Sequence, residues 1–522
     1  MPEKSHEAKI TGAASVVGSA TILSRILGYI RDMAIAYYFG AGLFSDAFFV
    51  AFRISNLLRR LVGEGALTSS FIPIFTGERM KRSAGDTRDL VSSIFTLFAV
   101  ILIVIAFLGI VFSPWLVSFM SPGFKADPEK YSITVSLTRL MFPYIFFIGL
   151  MAIGMGVLNS LKHFAAPAFA PVFFNLAIIC SILALTPLFE RPVYALAVGV
   201  LAGGALQFIV LLPSLKKYGF MPRLRVAFRD PAIKKIFTLM GPAAFGVGIY
   251  QLNIFVTLWF ASRLAEGSVS YLYYAGRLME LPLGVFAVAV STAVLPSLSE
   301  HAALKEWDGF KTSLSFALRL VLFVTVPATV GLFILSLPII DVLFRHGEFT
   351  GSAASATSLA LYYYAPGLVP VALYRILTSV FYSLKDTVTP VLAAFVSFLV
   401  NIIMCIVLVG PLKHAGLALA TTIAGVVNMA LLFIILQRRL GRFGSGLIMG
   451  SALKNVLAAL VMGLVIFLFL RRAEYAHLSS TGRVLFMVIT LPVGALVYLL
   501  ISWLQKAPEL SFFKEFLKKR GG

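Results

Sequence analysis

Long apolar runs alternate with short loops rich in arginine and lysine along the whole chain of 522 residues. A helix that crosses the hydrocarbon core of a membrane needs about 20 predominantly apolar residues. Windows of that length predict about fourteen transmembrane helices, and hence an all-α polytopic membrane protein. The predicted spans are 10–39, 44–76, 90–119, 131–160, 164–188, 192–214, 233–262, 268–298, 310–340, 354–383, 388–410, 414–437, 450–470 and 484–504.

The composition supports this interpretation. The chain is 59% hydrophobic and only 13% charged, whereas soluble domains carry about 25% charged residues. A net charge of +21 would suit a nucleic-acid partner, but most basic residues lie in short loops between the apolar runs. That distribution is the positive-inside pattern of membrane proteins, so we expect no nucleic acid. The loops after even-numbered helices are the more basic ones, which predicts that both termini are cytoplasmic.

Residues suited to redox, metal or nucleotide chemistry are sparse. Cys180 and Cys405 lie in apolar runs without metal-ligand neighbours, and two cysteines exclude a disulfide framework. The sequence contains no Walker A or HExxH motif, so ATP hydrolysis and metal catalysis have no support, and we expect no cofactor. The basic start and the apolar run that follows also fit a cleaved signal peptide, but cleavage near Ala20 would cut the first predicted helix.

The chain also contains an internal repeat. Ala51–Leu57 resembles Ala275–Leu281, which aligns Arg53 with Arg277 at a shift of 224 positions. Further pairs recur at shifts of 223 or 224, namely Pro73 with Pro296, Pro114 and Gly123 with Pro338 and Gly347, and Ser160–Lys162 with Ser383–Lys385. Helix n then corresponds to helix n+6, so the two repeats share one orientation in the membrane. We predict an N-terminal six-helix lobe (1–215), a basic cytoplasmic linker (216–235), a C-terminal six-helix lobe (236–440), and helices 13 and 14 with a basic cytoplasmic tail (441–522).

Charged residues interrupt the second predicted helix in a regular pattern. Asp46, Arg53 and Arg60 are spaced by seven residues, close to two helical turns, so they share one face. Glu64 continues this stripe, which covers roughly 21 Å from Asp46 to Arg60. A charge in hydrocarbon costs about 2.5–3.5 kcal/mol on insertion scales, so such residues generally face a cavity. Arg59 lies off the stripe and fits equally well a side chain that snorkels to the membrane surface.

Two further groups of charges lie inside predicted spans. On the first helix Arg25 and Arg31 are six residues apart, and a break at Gly28 would turn both toward a cavity. On the eighth helix Arg277 and Glu280 are neighbours at positions i and i+3. Both groups are therefore candidates for a substrate path.

Away from the ends of the predicted spans, the basic residues are arginine rather than lysine. The guanidinium group is planar and always charged, and it binds phosphate or carboxylate through two parallel hydrogen bonds. This favours an anionic substrate. A drug or cation antiporter would instead need carboxylates at the centre of its cavity.

Six stretches of the sequence resemble one known family, the MurJ/MviN lipid II flippases. They read SRILGYIRD, GAGLFSDAFFVAFRISNLLRRLVGEGALTSSFIPIF, FAAPAFAPVFFN, GSVSYLYYAGRLMELPLGVFAVAVSTAVLPSLS, FYSLKDTVTPV and GPLKHAGLALA. The resemblance covers nearly the whole chain. It implies the fold of the multidrug/oligosaccharidyl-lipid/polysaccharide flippase superfamily, with two six-helix lobes around a central cavity and two C-terminal helices that help to form a groove for the lipid tail.

The resemblance also implies a site and an activity. The family's essential cavity residues match Arg25, Arg31, Asp46 and Arg277, and its paired basic site matches Arg59 and Arg60. One departure is Gly276, where relatives often carry an acid, so that Glu280 is the remaining local partner of Arg277. With the residues taken from the stripe, the predicted substrate-binding set is Arg25, Arg31, Asp46, Arg53, Arg59, Arg60, Glu64, Arg277 and Glu280.

The expected function is the flipping of lipid II from the cytoplasmic to the outer leaflet of a bacterial inner membrane by alternating access. The cavity arginines would bind its pyrophosphate, and the membrane potential or an ion gradient would supply the energy. Expected partners are lipid II, membrane lipids and other cell-wall synthesis proteins. One alternative is a flippase for another polyprenyl-pyrophosphate-linked oligosaccharide. A membrane enzyme would need clustered aspartates or a histidine near the cavity, but the candidate histidines lie in predicted loops or at the first residue of a predicted span: His163, His301, His346 and His414.

Overall fold

The computed structural model describes residues 2–58, 67–226, 230–284, 288–441 and 443–510. Within these ranges the regular structure is helical, without a strand. In chain order the α-helices are α1 (Pro2–Phe39), α2 (Leu43–Leu58), α3 (Leu67–Lys81), α4 (Ala84–Val111), α5 (Ser113–Met120), α6 (Pro128–Met141), α7 (Tyr144–Ser160), α8 (Ala165–Leu185), α9 (Tyr194–Ile209), α10 (Leu212–Lys217), α11 (Pro231–Ala261), α12 (Ser268–Pro282), α13 (Val288–Leu304), α14 (Trp307–Ile334), α15 (Ser336–Phe344), α16 (Gly351–Tyr364), α17 (Leu368–Ser383), α18 (Val388–Leu440), α19 (Ser445–Arg472) and α20 (Ser480–Leu504). Short 3-10 helices lie at Pro122–Ala126, Thr186–Leu188, Ala365–Gly367 and Tyr475–His477.

The chain forms two compact units, residues 1–269 and 270–522. In the first unit α8 packs against α1 and α9, α2 packs against α6, and α3 packs against α7 and α11. In the second unit α14 packs against α13, α17 and α19, and α17 packs against α18. The predicted boundaries of the lobes, the linker and the tail stay predictions.

Nine helical segments within the described ranges are long and apolar enough to cross a membrane. One of them is α18, whose 53 residues exceed what a single crossing needs, and which breaks at Lys413 with a φ of 50°. The sequence predicts two spans there, 388–410 and 414–437, and the break falls between them. The prediction of an all-α membrane protein is therefore confirmed, while the count of fourteen spans stays a prediction.

The bounds of the helices repeat along the chain. Helices α4 and α14 each have 28 residues, and their first and last residues are 223 positions apart. Helices α6 and α16 each have 14 residues and are separated by the same 223 positions at both ends. The shift inferred from short sequence matches thus recurs in the lengths and positions of whole helices.

The same turn ends α7 and α17. Lys162 and Lys385 have φ values of 59° and 60°. The N–H of the next residue, His163 or Asp386, donates to the carbonyl five residues earlier, at 2.9 Å in both turns. This is the hydrogen bond of a Schellman motif, in which glycine is the common residue at positive φ. Lysine at this position carries backbone strain but places a positive charge at the negative end of the helix dipole.

Helix α4 shows how the sequence defines a membrane-spanning element. Ser83 caps its start, and the Oγ accepts the Asp86 N–H at 3.1 Å. Further along, one stripe of large apolar side chains is exposed: Val100, Ile103, Val104, Phe107, Leu108 and Val111. These positions recur at intervals of three and four, so they share one face of the helix. That face suits contact with lipid.

The two C-terminal helices pack onto the second unit through one apolar cluster. It joins Leu322 of α14 with Met462 and Ile466 of α19 and Phe486 of α20. The Tyr498 hydroxyl of α20 donates to the Phe323 carbonyl at 2.8 Å. Helices α19 and α20 thus correspond to the predicted helices 13 and 14, and they are fixed to α14.

A bidentate ion pair joins the end of α3 to the start of α11. The Arg82 guanidinium contacts both carboxylate oxygens of Asp230, at 2.5 and 2.9 Å, and also contacts Glu78 at 2.6 Å. Asp230 caps α11 as well, since it accepts the Ala232 N–H at 2.9 Å. The Arg82 hydrogen bond lowers the pKa of Asp230 below its ordinary value, against a smaller opposing effect of burial.

We expect Asp230→Asn to lower the free energy of unfolding by about 1.5–3 kcal/mol at neutral pH, the range for hydrogen bonds to charged groups. Because the pKa of Asp230 is lowered in the folded state, this stabilisation is complete above the ordinary aspartate range and is lost as the pH falls through the lowered pKa. Unfolding of detergent-purified protein at several pH values checks this. A difference in the free energy of unfolding between wild type and variant that does not narrow at acid pH would contradict this expectation. Glu78→Gln is the control.

Candidate functional site

Six of the nine predicted site residues lie within the described ranges, and Arg59, Arg60 and Glu64 lie outside them. The six separate by unit. Four are in the first unit, on α1 and α2, and two are in the second unit, on α12. The four in the first unit also differ in burial, because Arg31 and Asp46 are buried while Arg25 and Arg53 are partly exposed.

Arg31 is held in a buried network between α1 and α8. Its guanidinium donates twice to Asp32 Oδ1, at 2.6 and 3.0 Å, and once to Asn175 Oδ1 at 3.0 Å. The Asn175 amide in turn donates at 3.0 Å to the carbonyl of Ser24, which precedes Arg31 on α1 by seven residues, about two turns. Only 8% of Arg31 is exposed. In this state the guanidinium therefore joins α1 to α8, and its predicted contact with substrate stays a prediction.

Asp46 forms a buried ion pair with Lys130. The Lys130 ammonium donates to Asp46 Oδ2 at 2.7 Å, and the two side chains are 8% and 1% exposed. The same carboxylate oxygen accepts the Gly267 N–H at 2.8 Å. The ammonium also lies 4.4 Å from the centre of the Phe124 ring. Asp46 thus connects α2 to the start of α6 and to the loop that precedes α12.

The loop between α11 and α12, residues 262–267, is held closely against this part of the first unit. Glu266 Oε1 accepts the Leu43 N–H at the start of α2, at 2.8 Å. The Gly123 N–H donates to Ser262 Oγ at 3.3 Å. A Cβ atom on Gly123 would lie 2.1 Å from the Ser262 carbonyl oxygen, so only glycine permits this approach. We call residues 262–267 the clasp loop.

Arg25 and Arg53 lie on α1 and α2, the helices that also carry the buried residues Arg31 and Asp46. Both side chains are partly exposed, and both are engaged with neighbouring groups. Arg53 follows Phe52, whose ring stacks on Phe174 of α8 at a centroid distance of 6.3 Å. This ring contact packs α2 against α8 next to the partly exposed Arg53.

Arg277 and Glu280 form the pair that their spacing predicts. The Arg277 guanidinium contacts Glu280 Oε2 at 2.7 Å, and the side chains are 27% and 54% exposed. Arg277 is also engaged with other groups. Because this pair is open to solvent on one side, an anion with two oxygens can compete with Glu280 for the guanidinium.

Sequence reasoning missed two residues of the buried networks, Lys130 and Asn175. Lys130 precedes the predicted fourth span, 131–160, but it lies in the first turn of α6. Asn175 ends the FAAPAFAPVFFN stretch and is a lone amide in an apolar helix. A polar side chain inside a membrane helix generally has a partner on another helix, and that signal would have found Asn175.

The described residues give no support for a metal site, because no group of three or more His, Cys, Asp and Glu side chains among them is placed to hold a metal ion. The charged groups of the site are arginines and their carboxylate partners. Such a set binds anions through hydrogen bonds and charge. It offers no nucleophile beside a base.

Comparisons with known proteins agree with this chemistry. Residues 35–488 match the family described as lipid II flippase MurJ. A lipid II flippase MurJ from Burkholderia cenocepacia is 38% identical over 82% of this chain and 84% of its own. A probable lipid II flippase MurJ from Bdellovibrio bacteriovorus is 35% identical over 97% of both chains. A solved structure titled lipid II flippase MurJ, inward closed conformation, is 30% identical, with a TM-score of 0.79 over 96% of this chain and 99% of that one. The protein therefore belongs to the MurJ family of lipid II flippases, which makes it a lipid transporter and not an enzyme.

Proposed function

We propose that this protein moves lipid II from the cytoplasmic to the outer leaflet of a bacterial inner membrane by alternating access. Its relatives are named for lipid II flipping, and one of them covers nearly the full length of this chain. The basic loops after even-numbered predicted helices support cytoplasmic termini. Other cell-wall synthesis proteins are further candidate partners.

The pyrophosphate of the substrate is bound by arginines. The observation that carries this proposal is Arg277, whose side chain is 27% exposed and whose guanidinium pairs with the more exposed carboxylate of Glu280. Of the predicted site arginines in the first unit, Arg25 and Arg53 are partly exposed, whereas Arg31 is buried and donates to Asp32 and Asn175. Arg277, Arg25 and Arg53 are therefore the residues to which we assign contact with the phosphates.

The clasp loop supports a gated cycle. Asp46, Glu266 and Ser262 hold this loop against α2 and the segment before α6 through hydrogen bonds of 2.8 to 3.3 Å. These three hydrogen bonds join chain segments more than 130 residues apart, and their concerted opening is the gating step that we propose. One relative of known structure is titled as an inward closed conformation, which supports a transport cycle that includes such a state.

Flipping is expected to depend on the membrane potential. Lipid II is anionic, and an inside-negative potential favours its outward movement by about 2.3 kcal/mol per charge per 100 mV. We expect labelled lipid II to cross reconstituted vesicles several-fold faster under such a potential than without one. Vesicles that lack the protein are the control. An unchanged rate under an imposed potential, with an ion gradient accelerating transport instead, would assign the driving force to the ion.

Competition identifies the substrate. Unlabelled lipid II should slow the flipping of labelled lipid II, while another polyprenyl-pyrophosphate-linked oligosaccharide at the same concentration should slow it much less. Equal competition would favour the alternative function, a flippase for polyprenyl-pyrophosphate-linked oligosaccharides in general.

A further inference from the structure

The segment between α10 and α11 exposes apolar side chains between arginines. Leu224 is 93% exposed and Val226 is 77% exposed, and they alternate with the exposed residues Arg223 and Arg225. Residues 220–226 form no helix. We call residues 221–226 the arginine–leucine segment. Two almost fully exposed large aliphatic side chains in a fixed segment are unusual for a surface that faces only water.

Helix α4 fixes the backbone of this segment. The Thr96 hydroxyl oxygen accepts the Arg225 N–H at 3.0 Å, and its one hydrogen is shared between the Ser92 carbonyl at 2.9 Å and the Arg223 carbonyl at 3.3 Å. About two turns nearer the start of α4, Asp89 pairs with Arg225 at 2.8 Å. The segment therefore runs along α4 instead of extending away from it, and Leu224 has a defined position along the axis of that helix.

The segment is bound at the edge of the exposed apolar stripe of α4, which we call the lipid-facing stripe. Thr96 precedes Val100, the first exposed apolar residue of the stripe, by four residues, which is about 6 Å along the helix. Thr96, Val100, Ile103 and Phe107 recur at helical intervals, so they share one face. The arginine–leucine segment thus covers the continuation of the lipid-facing stripe, on the same side of α4.

A non-helical backbone cannot lie in the hydrocarbon, because its N–H and C=O groups would lack partners there. We therefore place residues 221–226, about one turn before the stripe, in the headgroup layer. In that layer leucine and valine can enter the acyl boundary while arginine meets the phosphates. Other exposed basic residues lie close in sequence or space, namely Lys216 and Lys217 at the end of α10 and Arg88, whose guanidinium lies against Gly219.

We propose that the arginine–leucine segment is a binding surface for anionic phospholipids of the inner leaflet. Leu224 and Val226 insert at the level of the glycerol backbone, and Arg223 and Arg225 bind the phosphodiester and the anionic headgroup. This anchors the connection between α10 and α11 to the membrane surface. The proposal uses the cytoplasmic placement of this connection given under the proposed function, but it does not depend on which lipid is flipped.

Depth measurement with a fluorescent probe tests the insertion. The full chain carries a Cys180→Ser replacement, since Cys180 is exposed whereas Cys405 is buried. An environment-sensitive fluorophore is then placed at Leu224→Cys and the protein is reconstituted with lipids brominated at different depths. Asp86→Cys, at the start of α4, is the aqueous control, and Val104→Cys, in the stripe, is the hydrocarbon control. We expect Leu224 to be quenched by shallow bromines, Val104 by deep ones and Asp86 by neither.

Lipid selectivity tests the charge. Each basic residue close to an anionic surface contributes about 1 kcal/mol, or about fivefold in affinity. Arg223→Gln with Arg225→Gln should therefore reduce the preference for phosphatidylglycerol over phosphatidylcholine about thirtyfold, measured by competition for spin-labelled lipid in vesicles of either composition. The matched control is Arg471→Gln with Arg472→Gln, two exposed arginines at the end of α19.

Either of two results overturns the proposal. If the Leu224 probe reports water in anionic vesicles, as the Asp86 probe does, the segment faces a soluble partner. If the arginine double variant keeps the wild-type preference for phosphatidylglycerol, headgroups do not bind here. Both measurements report lipid contact and not transport. Their results therefore do not depend on whether the protein flips lipid II.

Discussion

Arg277→Ala is expected to reduce lipid II flipping by at least about 100-fold while the protein stays folded. Hydrogen bonds to charged groups contribute about 1.5–3 kcal/mol each, and a phosphate held by the guanidinium fork loses two of them. The fold loses little, because exposed ion pairs such as Arg277–Glu280 contribute about 0–1 kcal/mol. The measurement is translocation of labelled lipid II in reconstituted vesicles, with the thermal stability of each variant measured in parallel.

Three further variants test whether the loss of flipping is specific to the site arginines. Arg277→Lys keeps the charge but loses the planar fork, so its flipping rate should fall between those of the wild type and Arg277→Ala. Arg25→Ala should lose flipping like Arg277→Ala. Arg472→Ala, at the exposed end of α19, should flip at the wild-type rate. A wild-type rate for Arg277→Ala or Arg25→Ala, at normal expression, would contradict the role of these arginines.

Much of the fold could be predicted because the bilayer imposes a simple rule on the sequence. Runs of apolar residues long enough to span it must be helical, since helices satisfy their own backbone groups. The repeat was also accessible, because the turns at Lys162 and Lys385 carry the same Ser-Leu-Lys sequence at a shift of 223 positions. The positions of breaks within spans were less accessible. Helices α6 and α7 are separate elements where one span is predicted, because Pro143 has no N–H to donate and the following N–H groups of Ile145 and Phe146 bond three residues back.

The site was predicted as a set of charges but not as a set of pairs. Helical spacing showed that Arg277 and Glu280 are neighbours, since that contact lies within one turn. It could not show that Asp46 meets Lys130, 84 positions away, or that Arg31 meets Asn175, 144 positions away. Such contacts depend on how helices pack, and periodicity on one helix carries no information about the face of another.

The Asp46–Lys130 pair provides the second large expected effect. Asp46→Asn keeps an acceptor for the Gly267 N–H but leaves the Lys130 ammonium buried without its carboxylate. Removing one member of a buried ion pair costs about 3–5 kcal/mol, because the remaining charge is uncompensated. We therefore expect Asp46→Asn to lower the free energy of unfolding by that amount in mixed micelles. Glu129→Gln, which breaks an exposed pair with Arg191 next to Lys130, should change it by less than about 1 kcal/mol.

The double variant Asp46→Asn with Lys130→Met separates two roles of Asp46. It removes both buried charges, so most of the lost stability should return, as it does when buried pairs are replaced together. If Asp46 acts by holding α2 to α6 and to the clasp loop, flipping returns with stability. If Asp46 also binds the substrate, as the sequence predicts, stability returns and flipping does not. Since Asp46 is 1% exposed and already holds two donors, we expect flipping to return to within a few-fold of the wild-type rate. A folded double variant that fails to flip lipid II would place Asp46 among the substrate ligands.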